Sequence, residues 1–427
     1  MTRPDAHSDA PLERANHTAV QREVRTLPGG VTLLMEVDPA APSAAAAWLA
    51  PVGSRDEPDQ RAGASHLLEH MAFKGPAELN AGELDRRLDA LGADVNAFTG
   101  EDRTAYHGTV LPEHLGALNE ALAAMLRPAL RPEDLEVERA VVLEEIAMTH
   151  DQPDDRALET AAARYFAGHP LGRPVLGTRA SVAGLTRDAL DAWRARHYAP
   201  ARLVVALAGR FDPDAEADRV ARLAEALAAD GSTPEPRVAP TPHAGRSQEG
   251  DPSVTRAYGA MLAPGVAADE EARIAAALLA RVLGEPGHGA LHWALVDPGL
   301  AEQAGLDHEP GAGFGTWTGW YAAAPDRAAE ARARFEATLL EAQDAPLDPA
   351  AWHRARRTLA TDIALRAESS LGRALALADA WLDRRALHDP RALLARVHAT
   401  EPEEGEALLA RRPFDAMHLH VLGPAGD

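Results

Sequence analysis

The stretch that decides the fold of this chain is His66-Leu67-Leu68-Glu69-His70. The surrounding segment, Ala64–Phe73, has the pattern of a helix, and residues four apart on a helix lie about one turn apart on the same face. Two imidazoles placed in this way can bind one divalent ion, and the pair favours zinc, which takes nitrogen ligands at about 2.0–2.1 Å. Glu69 borders the same face, so it is a candidate to accept a proton from water.

The alternative is a surface helix that carries two solvated histidines. From the residue frequencies, the five-residue pattern would arise by chance roughly 0.06 times in this chain. That low frequency favours the metal-site interpretation, and the pattern is the reversed order of the usual zinc-protease signature.

A catalytic zinc site usually has three protein ligands and a water molecule, so a third ligand must come from elsewhere in the chain. Because the sequence has no cysteine, this ligand is expected to be Asp, Glu or His. The helix predicted from Glu136 to Met148 offers Glu138, Glu144 and Glu145. Glu138 and Glu145 share a face, and the apolar residues between them indicate burial, where a carboxylate needs a cation. An ordinary solvated acidic face is the alternative.

The composition of the chain excludes several classes of protein. Its 427 residues include 65 acidic and 43 basic side chains, and the net charge of −22 argues against a nucleic acid or an anionic membrane as partner. The lack of cysteine excludes disulfides, thiolate metal sites and cysteine nucleophiles. The first residues have no apolar core typical of a secretory signal, and no window approaches about 20 uninterrupted apolar residues. We therefore expect a cytoplasmic protein.

The predicted elements indicate an α+β fold. Pro28-Gly29-Gly30 predicts a turn between two β-prone runs, and Ser43–Val52 has the pattern of a buried strand. A strand at Leu203–Leu207 closes the first part of the chain much as His418–Leu422 closes the second, which suggests a duplicated domain. We expect two tandem related domains, each an antiparallel-rich sheet packed with helices. The expected boundaries are a flexible N-terminal tail at 1–20, a zinc-bearing domain at 21–229, a linker at 230–252 and a second, metal-free domain at 253–427.

These motifs resemble those of the pitrilysin-type (inverzincin) zinc metallopeptidases, and most closely the short-chain branch that is similar to the mitochondrial processing peptidase. The metal motif of that family matches His66, Glu69 and His70, and its downstream Glu falls on Glu145 within a Glu-Arg-x-Val-Val-Leu-x-Glu stretch. The resemblance implies that His66, His70 and Glu145 bind one zinc ion per chain. It also implies that Glu69 is the general base, that Glu138 supports the site from behind the ligands, and that the chain forms half of a clamshell.

A second stretch, Gly92–Thr99, resembles the substrate-binding edge strand of the same family. The resemblance implies that Asn96, Ala97, Phe98 and Thr99 bind an extended peptide, which adds to the sheet as an extra strand through main-chain hydrogen bonds. For Asn96 and Phe98, ordinary strand and core packing is an equally good interpretation.

The chain departs from the family pattern in the substrate clamp. Active members also use an Arg and a Tyr from a second-half domain, in a stretch resembling Val-Arg-x-x-x-Gly-Leu-Ala-Tyr. The corresponding run here, Val296–Glu302, is shorter and has Asp297 and Glu302 at those positions. The resemblance therefore predicts a heterodimer in which this chain bears the metal and a homologous subunit supplies Arg and Tyr. A homodimer in which these residues come from elsewhere is the alternative.

The expected function is zinc-dependent endopeptidase activity on peptides or unfolded polypeptides. Two alternatives have the same fold: an inert assembly subunit that retains the metal motif, and a metal-binding protein without hydrolytic chemistry. Glu69 favours the peptidase, because a protein that only binds zinc needs no base beside its histidines.

Overall fold

The computed structural model describes residues 20–227 and 236–425. Most of the predicted N-terminal tail (1–20) and the first residues of the predicted linker (230–252) lie outside the described residues. The described chain forms two halves, residues 20–227 and 236–425, and each half contains one β-sheet together with helices. The expected α+β class with two domains is confirmed.

The first sheet has six strands in the spatial order β1-β2-β6-β3-β5-β4. All neighbours are antiparallel except β2 and β6. In chain order the strands are β1 (Gln21–Thr26), β2 (Thr32–Val37), β3 (Ala44–Ala50), β4 (Asp94–Thr99), β5 (Thr104–Val110) and β6 (Val204–Gly209). The turn between β1 and β2 uses Gly29 and Gly30 at φ angles of 80° and 89°, where other residues are strained. Because β4 is last in the order, one of its main-chain edges has no strand neighbour within the described residues.

The first half contains eight α-helices within the described residues. They are α1 (Ala64–Ala72), α2 (Ala81–Ala90), α3 (Leu115–Met125), α4 (Pro132–His150), α5 (Pro153–Tyr165), α6 (Arg179–Gly184), α7 (Arg187–His197) and α8 (Pro213–Glu225). One core on a single face of the sheet contains Trp48, Tyr106 and Leu118, and α1 lies in it with Leu67 and Leu68. α1 packs against both β4 and α4, which brings the histidine motif beside the edge strand.

The second sheet repeats the topology of the first. Its strands are β7 (Gly245–Gly250), β8 (Ala257–Gly265), β9 (Gln303–Gly311), β10 (Phe314–Ala323) and β11 (His418–Gly423). The order β7-β11-β8-β10-β9, with β7 and β11 parallel, matches β2-β6-β3-β5-β4 of the first sheet. The two halves therefore share one chain path, as expected for related domains.

The strand β7 lies inside the segment predicted to be a linker. Its sequence, Gly-Arg-Ser-Gln-Glu-Gly, has no apolar alternation and is mostly exposed. It is held as a strand by parallel main-chain pairing to β11, at the edge of the sheet. Main-chain pairing of this kind leaves no hydrophobic pattern in the sequence, which explains why the sequence predicts a linker and not a strand here.

The second half contains six α-helices within the described residues. They are α9 (Arg273–Gly284), α10 (Ala328–Ala342), α11 (Pro349–Glu368), α12 (Ser370–Arg384), α13 (Pro390–Ala399) and α14 (Pro402–Leu409). Most of them enclose a core that includes Trp317, Phe335 and Trp352.

The two halves exchange one helix each. α12 of the second half packs on β3 and β6, and Leu377 shares a buried cluster there with Ala45. α5 of the first half packs on β8 and β11, and Ala161 shares a buried cluster with Leu262. α5 is the third α-helix after β5, and α12 is the third α-helix after β10. Because β5 and β10 hold the same position in the two sheets, the exchanged helices are equivalent elements of the two halves. Each half completes a core of the other.

Candidate metal centre

The helix that carries the histidines, α1, begins at a fixed point. The Glu57 carboxylate accepts hydrogen bonds from the main-chain N–H groups of Gly63 (2.7 Å) and Ser65 (2.6 Å), which are free donors at a helix N-terminus. Glu57 is 2% exposed, and this burial raises its pKa to about 7. Gly63 has a φ of 88°, and a Cβ there would lie 2.5 Å from the Leu176 carbonyl oxygen, so glycine is required.

His66 and His70 face α4 from one side of α1. Glu145 Oε2 on α4 lies 3.7 Å from His66 Nε2 and 3.4 Å from His70 Nε2. One ligand atom from each of the three residues falls within 4.8 Å of the other two. The two histidine side chains are 12% and 18% exposed, so a helix with solvated histidines does not describe the structure.

The chemistry of these three residues fits a zinc ion. Ligand atoms at about 2.0–2.2 Å from a tetrahedral centre are separated by about 3.3 Å, close to the separations of 3.4 and 3.7 Å from the Glu145 oxygen. Burial and then the neighbouring His70 lower the pKa of His66 to about 4, so its imidazole is neutral at pH 7, as metal binding requires. Residues 20–227 and 236–425 contain no second group of three such ligands.

Glu138 lies behind His70 and orients its ring. Its two carboxylate oxygens are 2.8 Å from His70 Nδ1 and 2.6 Å from Lys74 Nζ. Burial alone would raise the pKa of Glu138, but the hydrogen bonds from Lys74 and His70 outweigh it and lower the pKa. The ionised carboxylate keeps the proton of His70 on Nδ1 and leaves Nε2 free for a cation.

Lys74 is absent from the predicted site residues, although the sequence contains two signals for it. It is the only lysine of the chain, and it follows His70 by four residues, or about one helical turn. Its contact with Glu138 joins the segment just after α1 to α4, beside the Glu145 cluster.

Glu69 lies beside the cluster and contacts β4. Its Oε2 accepts a hydrogen bond of 2.5 Å from the Thr99 hydroxyl. Burial raises the pKa of Glu69, and the Thr99 hydroxyl and His70 oppose this rise. A carboxylate with a raised pKa is a more effective proton acceptor near neutral pH. Glu144, the other carboxylate considered on α4, is exposed and lies outside the cluster.

β4 runs past the cluster with its two faces in different environments. Val95 and Ala97 pack against the core of the first half. Phe98 points to the other face, where it is 38% exposed, and Asn96 on that face is also exposed. Core packing therefore accounts for Ala97 but not for Asn96 and Phe98.

A cavity of about 540 Å³ opens beside Phe98, between the two halves. The β4–β5 turn, the exchanged helices α5 and α12, and the second sheet all contribute to its walls. The lining includes aromatic and acidic side chains, among them Phe98, Glu101, Phe166, Glu309, Phe314 and Asp383.

The run that would contain the substrate clamp begins at Val296, the last residue of the short π-helix His292–Val296. Asp297 and Glu302 stand where Arg and Tyr are expected. Glu302 Oε1 accepts a hydrogen bond of 2.6 Å from Arg256 Nε, so this carboxylate is held on the surface by an ion pair.

Comparison with known proteins identifies the family. The family model for Insulinase (Peptidase family M16) matches residues 32–179, which include α1, β4 and α4, and the model for the Peptidase M16 inactive domain matches residues 184–359. The chain belongs to the M16 peptidase family. This confirms the resemblance to the pitrilysin-type enzymes, and the histidine cluster lies in the half that matches the first of the two M16 models.

Two curated relatives of this M16 chain are named zinc proteases. An uncharacterized zinc protease of Mycobacterium leprae is 43% identical over 190 residues, which are 44% of this chain and 43% of that protein. The uncharacterized zinc protease YmxG of Bacillus subtilis is 37% identical over 187 residues, which are 44% of this chain and 46% of that protein. The matched part of the chain therefore spans less than half the length of these relatives.

Solved structures with the same fold extend over nearly the whole chain. A protease from Helicobacter pylori matches with a TM-score of 0.87 at 20% identity and covers 95% of this chain and 100% of that one. An M16-like peptidase from Alicyclobacillus acidocaldarius matches with a TM-score of 0.79 at 23% identity and covers 95% and 99%. At these identities the likeness establishes the two-domain fold alone.

In the part of the chain that the structure describes, no helix combines the length and hydropathy needed to cross a bilayer.

Proposed function

We propose that this chain is a zinc-dependent endopeptidase and the metal-bearing catalytic subunit of a heterodimer. The observation that carries the proposal is the convergence of His66, His70 and Glu145 from two helices, with Glu69 beside them and hydrogen-bonded to the edge strand through Thr99. A protein that only binds metal has no need of a half-buried carboxylate in that position.

The roles of the residues follow from their contacts. His66, His70 and Glu145 hold the ion, and Glu138 orients His70. A bound zinc ion would supply a Lewis acid that acidifies water and polarises the scissile carbonyl. Glu69 accepts a proton from water and later donates it to the leaving amine; because Thr99 bonds Oε2, the proton moves through Oε1.

The substrate in this proposal binds along the free edge of β4 as an additional strand. Main-chain hydrogen bonds supply affinity that depends little on substrate sequence, with Asn96, Ala97, Phe98 and Thr99 in contact with it. Only an extended segment forms such bonds, so peptides and unfolded polypeptides are preferred over folded proteins. The cavity beside Phe98 gives room to side chains that project from the bound segment.

A homologous subunit completes the proposed enzyme as the other half of a clamshell. It supplies the Arg and Tyr clamp that the run Val296–Glu302 lacks. The same departure favours a second candidate function, an assembly subunit that keeps the metal but does not hydrolyse peptides. A homodimer is the less favoured arrangement, because each copy would have the same altered run.

Zinc analysis and cleavage of a quenched fluorescent peptide test the proposal. Glu69→Gln is expected to keep its zinc and lose at least about 100-fold in turnover, the scale of general-base catalysis. His70→Ala is expected to lose the metal. Glu144→Gln, a change to an exposed carboxylate on α4, serves as the matched control and is expected to keep both zinc and turnover.

Each competing arrangement has a distinct outcome. Zinc-dependent turnover that survives Glu69→Gln removes Glu69 as the base. Zinc binding without turnover, both alone and with a homologous subunit that carries Arg and Tyr, supports the assembly subunit. Full activity of the isolated chain as a monomer or homodimer contradicts the heterodimer.

A further inference from the structure

The turn between β4 and β5 has ion pairs and hydrogen bonds to the second half of the chain. Arg103, its last residue before β5, forms ion pairs with Asp379 and Asp383 on α12, and the Nη2–Oδ1 distance to Asp383 is 2.8 Å. The side chains of Arg103 and Asp383 are only 17% and 13% exposed. Asp379 is 48% exposed, so the Arg103–Asp383 pair is the one that solvent screens less than a pair on the open surface.

The neighbouring residue of the turn, Asp102, is bound from the same direction. Its carboxylate accepts a hydrogen bond of 3.2 Å from the Ala312 N–H in the β9–β10 turn. Its main-chain carbonyl oxygen accepts another, of 2.6 Å, from Arg237, which also belongs to the second half. The β4–β5 turn is therefore bound by α12, by the β9–β10 turn and by Arg237 of the second half, in addition to its first-half contacts with Ser54 and Arg55.

The anchored turn matters because β4 is an edge strand of the first sheet. The strand has six residues and pairs with β5 alone within the described residues. One face of β4 packs on the core through Val95 and Ala97, but its main chain is hydrogen-bonded to a strand on one side only. Thr99, at the end of β4 next to the turn, is the residue that bonds Glu69. Whatever holds the turn also sets where the free edge lies relative to α1.

We propose that Arg103 is a positioning residue that uses Asp379 and Asp383 to fix the substrate strand β4 against the catalytic helix α1. Arg103 contacts neither Glu69 nor the histidine cluster, so it acts through the strand. The catalytic part of this inference rests on the proposed peptidase function. The structural part, that α12 of the second half controls the order of β4, is independent of it.

The ion pairs are separable from the packing of α12. The helix is seated on the first sheet by fully buried residues such as Ala374 and Leu377, which do not depend on Arg103. Loss of the pairs should therefore loosen the turn and β4 without detaching α12. A bound peptide pairs with the free edge of β4 and restores the order of the strand. The free energy needed to order β4 therefore weakens peptide binding and leaves the chemical step unchanged.

The test combines kinetics with hydrogen exchange on the full, zinc-loaded chain and its active assembly. For Arg103→Ala we expect KM for the fluorescent peptide to rise about ten-fold, with kcat within about three-fold and zinc content unchanged. Asp383→Asn, on the opposite half, is expected to raise KM in the same direction. Arg103→Lys keeps the positive charge, so its KM is expected to lie close to that of the wild type. Arg246→Ala is the control, because it removes an ion pair with Glu336 elsewhere on the second half.

Exchange of the amides of β4 and β5 supplies a readout that needs no activity. Faster exchange in Arg103→Ala and Asp383→Asn, and not in Arg246→Ala, supports the proposal. Unchanged exchange overturns it, even if the wild-type chain is inactive and the peptidase function itself has failed. A fall in kcat at constant KM also overturns it, because that result assigns Arg103 to the chemical step.

Discussion

The contact between Glu138 and His70 leads to a quantitative prediction for Glu138→Gln. The amide keeps an oxygen that can accept from His70 Nδ1, but it loses the charge that Lys74 Nζ meets at 2.6 Å. Lys74 is then left without its counter-ion and repels a cation bound one turn away. Changes to the partner of a metal-binding histidine typically cost 10–100-fold in affinity, or about 1.4–2.7 kcal/mol.

The lower end of this range is expected here. The Lys74 side chain is 24% exposed, so solvent weakens its repulsion, and the hydrogen bond to His70 persists in part. We expect zinc to bind about ten-fold more weakly to Glu138→Gln than to the wild type. A competition titration against a chelator of known affinity measures this directly, with circular dichroism to check the fold.

Glu136→Gln is the matched control for Glu138→Gln. Glu136 lies on the same helix, its side chain is 71% exposed, and its ion pair is a 3.4 Å contact with Arg139. Its zinc affinity should equal that of the wild type. Zinc binding by Glu138→Gln that is as tight as in the wild type, or an equal loss of affinity in Glu136→Gln, would refute the role assigned to Glu138.

Three further changes test other parts of the structure. Thr99→Val removes the hydroxyl that bonds Glu69 at 2.5 Å, so kcat should fall about ten-fold at constant zinc content in steady-state assays, and an unaltered kcat would contradict this role. Burial raises the pKa of Glu57 from 4.5 to about 7, so the stability that it contributes is complete below about pH 4.5 and is lost as the pH rises through 7. Glu57→Gln cannot titrate at this position. In urea unfolding between pH 4.5 and 8, the free energy of unfolding of this variant should decline less than that of the wild type, by up to about 3 kcal/mol. Equal declines would disprove the pKa shift of Glu57. Leu377→Ala creates a cavity at a fully buried position between α12 and the first sheet, so the free energy of unfolding should fall by about 2–5 kcal/mol, and a loss below about 1 kcal/mol would show that this contact is dispensable.

Local signals in the sequence predicted the elements that position the candidate site. The Pro-Gly-Gly turn predicted the first hairpin, and the spacing of His66 and His70 predicted that they share one face of α1. Apolar residues around Glu145 indicated a partly buried α4. These features depend on residues within one or two turns of one another, so a single sequence contains them.

Contacts between distant segments could not be predicted in the same way. The apolar face of α12 shows that the helix packs on something, but nothing in its pattern says that the partner is β3 of the other half. The bonds of Arg103 to α12 and of Lys74 to Glu138 likewise depend on the assembled fold. The sequence does not indicate β7 for a different reason: its main-chain pairing to β11 requires no particular side chains.

Neither half of this chain is a self-sufficient unit of folding. If the gene were divided between Leu227 and Pro236, the first fragment would expose the alanine-rich face that α12 covers, and the second would expose the face of its sheet that α5 covers. Each fragment would be insoluble or unstable by itself and would recover only by reassembling with the other. A change in either exchanged helix therefore alters the core of the opposite half, although the two sheets look like a repeated module.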